Sequence, residues 1–449
     1  MNTPTVKHPG AVGAHPSRTR ALSPAERWYW IIDQLSTLTV CARVRIEGEV
    51  STAALTAALR ALQGGQPLLR LAIAEEPGGA RFVPTDNPIP VREVRLDEAE
   101  PSRWEREVDE HEFAESVDWR TGPLARAVHI RQPGDVHDLL LSLPHCVADG
   151  TTALALLRQW VRLAADPDSA DRGTSAPDVQ GGPVPAAVEE LFPDRYRSMS
   201  DPVPERAAGE DVVVGRVVPD RFVPFHERRT RLLHRSIDGD ALARLTAACK
   251  REGVTLHGVL AAAMAAAVAR DAKAEPGAHF AVGSPVAFRD EMARPVGEDE
   301  VGCFVSAVHS VVAYAPDDLW RMARFVNDDI SARRARGEQF PVFSLLAAQG
   351  PAGVADSGPL VQYIEEHGSF NFFVSNVGRF DFPDTLGGWH LSGAQFVGGI
   401  SVVGYLASSV TTSHNTLNWN FTHIDDAVPH ARATRLADDC IRTVLAAAG

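Results

Sequence analysis

The chain of 449 residues is long enough for two large domains or roughly three ordinary ones. Its 45% hydrophobic and 23% charged content excludes a collagen-like, disordered or disulfide-scaffold polypeptide. With 44 Lys and Arg against 58 Asp and Glu the net charge is −14, which disfavours nucleic acid and anionic membranes as partners, because both need clustered positive charge.

The first residues, MNTPTVKHPGAVGAHPSRTRA, contain no apolar signal-peptide core, so residues 1–21 are expected to be a disordered leader. Ser23 then offers an N-cap, Pro24 suits the first helical position, and Glu26 completes a capping box, predicting a helix over Pro24–Leu35. Alternation over Val40–Glu47 predicts a strand, and Leu55, Leu59 and Leu62 predict a helix over Ser51–Gln63. Strands are expected at 68–74, 125–130 and 138–143, with helices at 101–113 and 151–165. Strand and helix thus alternate in an α/β N-terminal lobe over 22–165. Dense Pro, Gly, Ser and Asp over 166–224 predict a linker. A second α/β lobe over 225–449 follows, with strands at 231–237, 280–286, 304–313, 371–375, 399–408 and 416–422. Its helices are expected at 240–252, 256–272, 317–336 and 426–446. The most apolar window, Val259–Val268, is too short to span a bilayer. Cys41, Cys146, Cys249, Cys303 and Cys440 lack CxxC pairing, so no zinc site or disulfide framework is implied, and the expected location is the cytoplasm.

The motif with the most chemistry is His145-Cys146-Val147-Ala148-Asp149-Gly150, placed where a strand meets a helix. A histidine at a strand end can aim its ring into a cleft and take a proton near neutral pH. Gly150 puts a backbone N–H at a helix N-terminus, where donors and the dipole favour an oxyanion. Asp149 can cap that helix or pair with an arginine. From these six residues alone, a buried structural histidine and a capping Asp-Gly turn explain the pattern equally well. Cys146 is expected to be a packing thiol: on an extended segment its side chain points away from that of His145. The arginine-rich stretches His226–Arg235 and Ser331–Gly337 could meet an acidic carrier protein or phosphates, although solvated faces are the commoner reading.

The segment PHCVADG (144–150) resembles the HHxxxDG signature of the condensation-domain superfamily, which includes chloramphenicol acetyltransferase-like enzymes. LSPAERWYWIIDQ resembles the opening helix of that superfamily, and RIEGEVSTAALTAALRALQGGQPLLRLAI its first strand-helix-strand unit. DWRTGPLARAVHI, VTLHGVLAAAMAAAV and PVAFRDEMARPVGEDEVGCFVS match later segments. NFFVSNVGRFD resembles the SNxG segment of the alcohol O-acetyltransferase and polyketide-associated branch. Pro144 stands where the superfamily has its first histidine, and no DFGWG segment is present.

The resemblance implies two chloramphenicol-acetyltransferase-like lobes, each a mainly antiparallel or mixed sheet with flanking helices, and an active-site tunnel between them. It implies an acyltransferase of secondary metabolism that takes an acyl group from a coenzyme A or carrier-protein thioester. The acceptor would be a small-molecule hydroxyl in preference to an amine, and no covalent enzyme intermediate would form. His145 would be the general base and Gly150 the oxyanion donor. Asp149 would pair with Arg289 as structural support, and Asn376 and Gly378 would line the cleft. No metal or tightly bound cofactor is implied; the thioester of coenzyme A or phosphopantetheine is a co-substrate, and an acyl or peptidyl carrier protein is a candidate partner. Two alternatives stand beside this: a degenerate domain that recruits a partner through the cleft, and a cyclisation or dehydration catalyst using the same base.

Overall fold

A computed structural model describes residues 18–166, 184–197 and 213–449. Its helices and strands form a mixed α/β architecture built on two large sheets. One sheet has six strands in the order 385–386, 389–398, 39–47, 136–144, 126–132 and 91–95. The other has the order 305–313, 279–287, 372–379, 406–413, 416–424 and 230–238, with the short strand Val214–Gly215 paired to 279–287. Most neighbours are antiparallel; Val91–Arg95 with Arg126–Gln132, Phe372–Arg379 with both of its partners in the main path, and Val214–Gly215 with His279–Ala287 are parallel.

Local signals act as the sequence suggests. Ser23 and Glu26 form the reciprocal capping box of helix Pro24–Leu35, the Glu26 N–H donating to Ser23 Oγ and the Ser23 N–H to Glu26 Oε2. That helix divides its aromatic run by face: Trp30 enters the core of the first sheet, and Trp28 enters a separate cluster with Phe192, Phe288 and Phe343. The alanine-rich helix Leu256–Asp271 is buried along nearly all its length against the second sheet. Among the described residues no single helix is long and apolar enough to cross a membrane; this helix and Gly239–Glu252 pass such a test only as a pair bent by 98°.

Three sequence expectations need correction. The leader expected over 1–21 lies outside the described residues up to residue 17, but Arg20–Ala21 form a strand against Arg81–Phe82. Much of the expected linker, residues 167–183 and 198–212, also lies outside them. Its middle is packed rather than a tether: Phe192 meets the rings of Phe288, Phe340 and Phe343 at 5.7, 5.0 and 4.9 Å, burying a large aromatic surface. Finally, the strand expected at 399–408 is mostly a turn, and a strand absent from the sequence reading, Trp389–Gly398, crosses to pair with Thr39–Glu47 in the first sheet. A bulge hides its alternation. The register shifts between Ser392 and Gln395, where Gly393 takes a positive φ of 59°. A boundary at residue 225 therefore does not divide the two sheets, because the first takes strands from both halves of the chain.

Candidate active site

The strand Val136–Pro144 is buried from His137 onward and delivers His145 at its end, where the His145 N–H donates to the Leu38 carbonyl at 3.1 Å. Pro144 occupies the last position of that strand, opposite Thr39. A turn follows, and Asp149 caps helix Gly150–Ala165 by accepting the Thr152 N–H at 2.7 Å.

The His145 ring stacks on Tyr29 with centroids 4.6 Å apart and planes 8° from parallel. Its Nδ1 lies 3.5 Å from Cys303 Sγ. Burial lowers the His145 pKa below the usual histidine value, while backbone carbonyls of His145 and Ala148 and the Asp149 carboxylate act in the opposite direction. Its resting form near pH 7 is thus neutral imidazole, which can accept a proton. Tyr29 and Cys303, which both touch the ring, also line a pocket with Cys146, Phe304 and Glu189, although His145 itself is not part of that lining.

Asp149 and Arg289 come together, as expected, with both side chains buried and Oδ1 at 3.5 Å from the guanidinium. The shorter bonds go elsewhere. Asp149 Oδ2 accepts the Phe304 N–H at 2.8 Å, and Arg289 donates to Thr152 Oγ1 at 2.7 Å and to the carbonyls of Gly297 and Glu300. Thr152 Oγ1 in turn donates to the Gly302 carbonyl at 2.6 Å. The Asp-Gly end of the motif is thereby fastened to the segment Gly297–Phe304, which also carries Cys303. Asp149, Thr152 and Arg289 each have more than one partner, although Arg289 Nε has none, and these bonds tie the two segments together.

Gly150 is required sterically: a Cβ there would lie 2.7 Å from the ring of Phe396, on the crossing strand. Gly150→Ala is accordingly expected to cost roughly 1–3 kcal/mol through overpacking. Denaturant unfolding measures this, and a wild-type midpoint would show that Phe396 moves aside without cost. Asn376 Oδ1 accepts the Gly378 N–H at 2.7 Å in a local turn, and Gly378 has φ of 76°. A turn-forming Asn-x-Gly accounts for both.

Cys146 is buried in the apolar core around the first sheet, which agrees with packing. The thiol that meets His145 is Cys303, which spacing gave no means of finding. Thr152 and Glu189 were likewise not singled out, and Tyr29 was visible only as one member of an aromatic run. Of the two arginine-rich stretches, Arg228, Arg231, Arg235, Arg333, Arg334 and Arg336 are each engaged by carboxylates of the chain itself. The positive charge that suggested an acidic partner is therefore largely neutralised internally.

Residues 227–414 match the model of the phthiocerol/phthiodiolone dimycocerosyl transferase C-terminus family. Among curated proteins, nonribosomal peptide synthetase kk1B of Curvularia clavata is 26% identical over 335 residues, covering 68% of this chain. The chain spans only 2% of the length of that relative. Polyketide synthase associated protein 5 from Mycobacterium tuberculosis superposes with a TM-score of 0.62 at 18% identity, covering 94% of this chain and 98% of that one. The starter condensation domain of rhizomide synthetase, solved with C8-CoA and Leu-SNAC, superposes with a TM-score of 0.68 at 16% identity, covering 96% and 94%. The fold shared with these structures, the HxxxDG segment at a strand end and the family match over residues 227–414 together support a place for the chain in the condensation-domain and chloramphenicol acetyltransferase-like acyltransferase superfamily.

Proposed function

We propose that this protein transfers an acyl group from a thioester of coenzyme A or of a carrier-protein phosphopantetheine to a hydroxyl of a small molecule in secondary metabolism. The observation that carries the reading is the placement of His145: a neutral imidazole stacked on Tyr29, in contact with Cys303 and next to a helix N-terminus. His145 takes the proton of the acceptor hydroxyl as its oxygen attacks the thioester carbonyl. The carbonyl oxygen gains charge as the tetrahedral centre forms, and the backbone N–H of Gly150 at the helix N-terminus is the donor that stabilises it. The proton then passes from His145 to the departing thiolate, leaving an ester and a free thiol. Asp149 and Arg289 serve this chemistry indirectly by fixing the HxxxDG turn against the segment that bears Cys303 and Phe304. A hydroxyl is preferred to an amine as acceptor because most amines are protonated near pH 7 and a single neutral imidazole must first remove that proton. The five cysteines are all free and buried, which accords with a reducing cytoplasmic setting.

The test is to supply a panel of acyl-coenzyme A and acyl-pantetheine thioesters with and without small alcohols and amines. Free thiol and product mass are then followed together. Acceptor-dependent thiol release with an ester product supports the reading; a protein that binds thioesters yet releases no thiol with any acceptor contradicts it.

A further inference from the structure

Cys303 reaches His145 across 158 residues of chain and places its sulfur 3.5 Å from Nδ1. Burial raises the thiol pKa well above the usual value; Asp149 and Glu189 nearby add to the rise, and the Val305 N–H and Arg289 oppose it. Cys303 therefore stays a neutral thiol at working pH, which suits a hydrogen-bond partner better than a thiolate nucleophile. The Tyr29 ring covers one face of the imidazole. Two residues from distant segments thus fix the ring, one through its face and one through its edge.

A neutral imidazole has one N–H and one lone pair, and the partner of one nitrogen decides which role the other plays. Sulfur is large and accepts at longer range than oxygen, so it spans a gap that a smaller side chain would leave open. We infer that Cys303 is a positioning residue for His145, its sulfur accepting the Nδ1–H and orienting the ring so that Nε2 holds the lone pair that receives the proton of the acceptor. This inference rests on His145 being the general base.

Its test uses Cys303→Ala, Cys303→Ser and His145→Gln in the full chain, with histidine ¹⁵N spectra and steady-state kinetics. The wild type is expected to show His145 protonated at Nδ1 and free at Nε2, its signals identified by their loss in His145→Gln. Cys303→Ala is expected to show a mixture of both tautomers and a kcat about tenfold lower, with donor KM within about twofold, the scale seen when a partner that orients a functional histidine is removed. Cys303→Ser, which keeps an acceptor on a shorter side chain, is expected to recover part of both effects. An unchanged tautomer in Cys303→Ala overturns the inference, as does an acyl adduct on Cys303 during turnover. The spectra need no acyl donor, so they decide the positioning role by themselves. Full transfer by His145→Gln would instead overturn the base reading, whatever the Cys303 variants do.

Discussion

Replacing His145 by glutamine is expected to lower acyl transfer by about 10²–10⁴-fold, the range that a positioned general base contributes, with donor binding nearly unchanged. Glutamine keeps a polar side chain of similar length against Tyr29 but cannot take up a proton. The measurement is kcat and donor KM with a verified donor and acceptor pair; transfer at the wild-type rate would end the catalytic reading of HCVADG. The pH dependence has a fixed sign. Because burial lowers the His145 pKa, the acid limb of wild-type kcat/KM should have its midpoint below about 6.5, the ordinary histidine value. Activity then rises with pH through that midpoint as the imidazole becomes neutral.

Stability changes over a neighbouring range and has to be followed in parallel. Burial also pushes His129, His234, His257 and His423 down to about 4. In the unfolded chain these side chains take protons near pH 6.5, whereas the folded protein resists protonation until about 4. Between those values the unfolded state binds more protons, so stability falls as pH drops through the window. Melting temperature should decline from pH 7 toward 5, and the kinetic limb is meaningful only where the protein remains folded.

The second large effect is expected at the fastening of the HxxxDG turn. Asp149→Ala removes the cap of helix Gly150–Ala165, the acceptor of the Phe304 N–H and the carboxylate facing Arg289 in one change. The buried Arg289 charge is left with neutral partners only, and the cost is expected to be about 3–5 kcal/mol. Arg289→Ala should cost less, because Asp149 keeps two backbone N–H donors. Asp149→Asn adds a kinetic readout: losing a carboxylate that favours imidazolium should move the acid limb to still lower pH. Melting of both single alanine variants at the wild-type temperature would discard the pairing as a structural element. A double-mutant cycle measures the coupling directly.

The features legible in the sequence are those encoded within a few residues. The capping box at Ser23 and Glu26, the cap at Asp149 and the placement of His145 at a buried strand end follow from spacing that a single turn or strand reads out. The superfamily was legible too, because its motifs are contiguous segments. What joins those segments was not. Nothing in the spacing of VGCFVS places Cys303 against His145, and nothing in HLSGAQFVGG announces a strand that pairs with Thr39–Glu47 and sets Phe396 over Gly150. By contrast, the local turn in which Asn376 accepts the Gly378 N–H is of the kind that neighbouring residues encode. Periodicity records which face of an element is buried, but the element that covers that face is selected by packing and register over the whole fold. The sequence by itself therefore determined the chemistry that His145 and its turn can carry. Only the tertiary structure, by bringing Tyr29 and Cys303 against one imidazole and fastening Asp149 to Arg289 beside it, decided which groups hold that histidine.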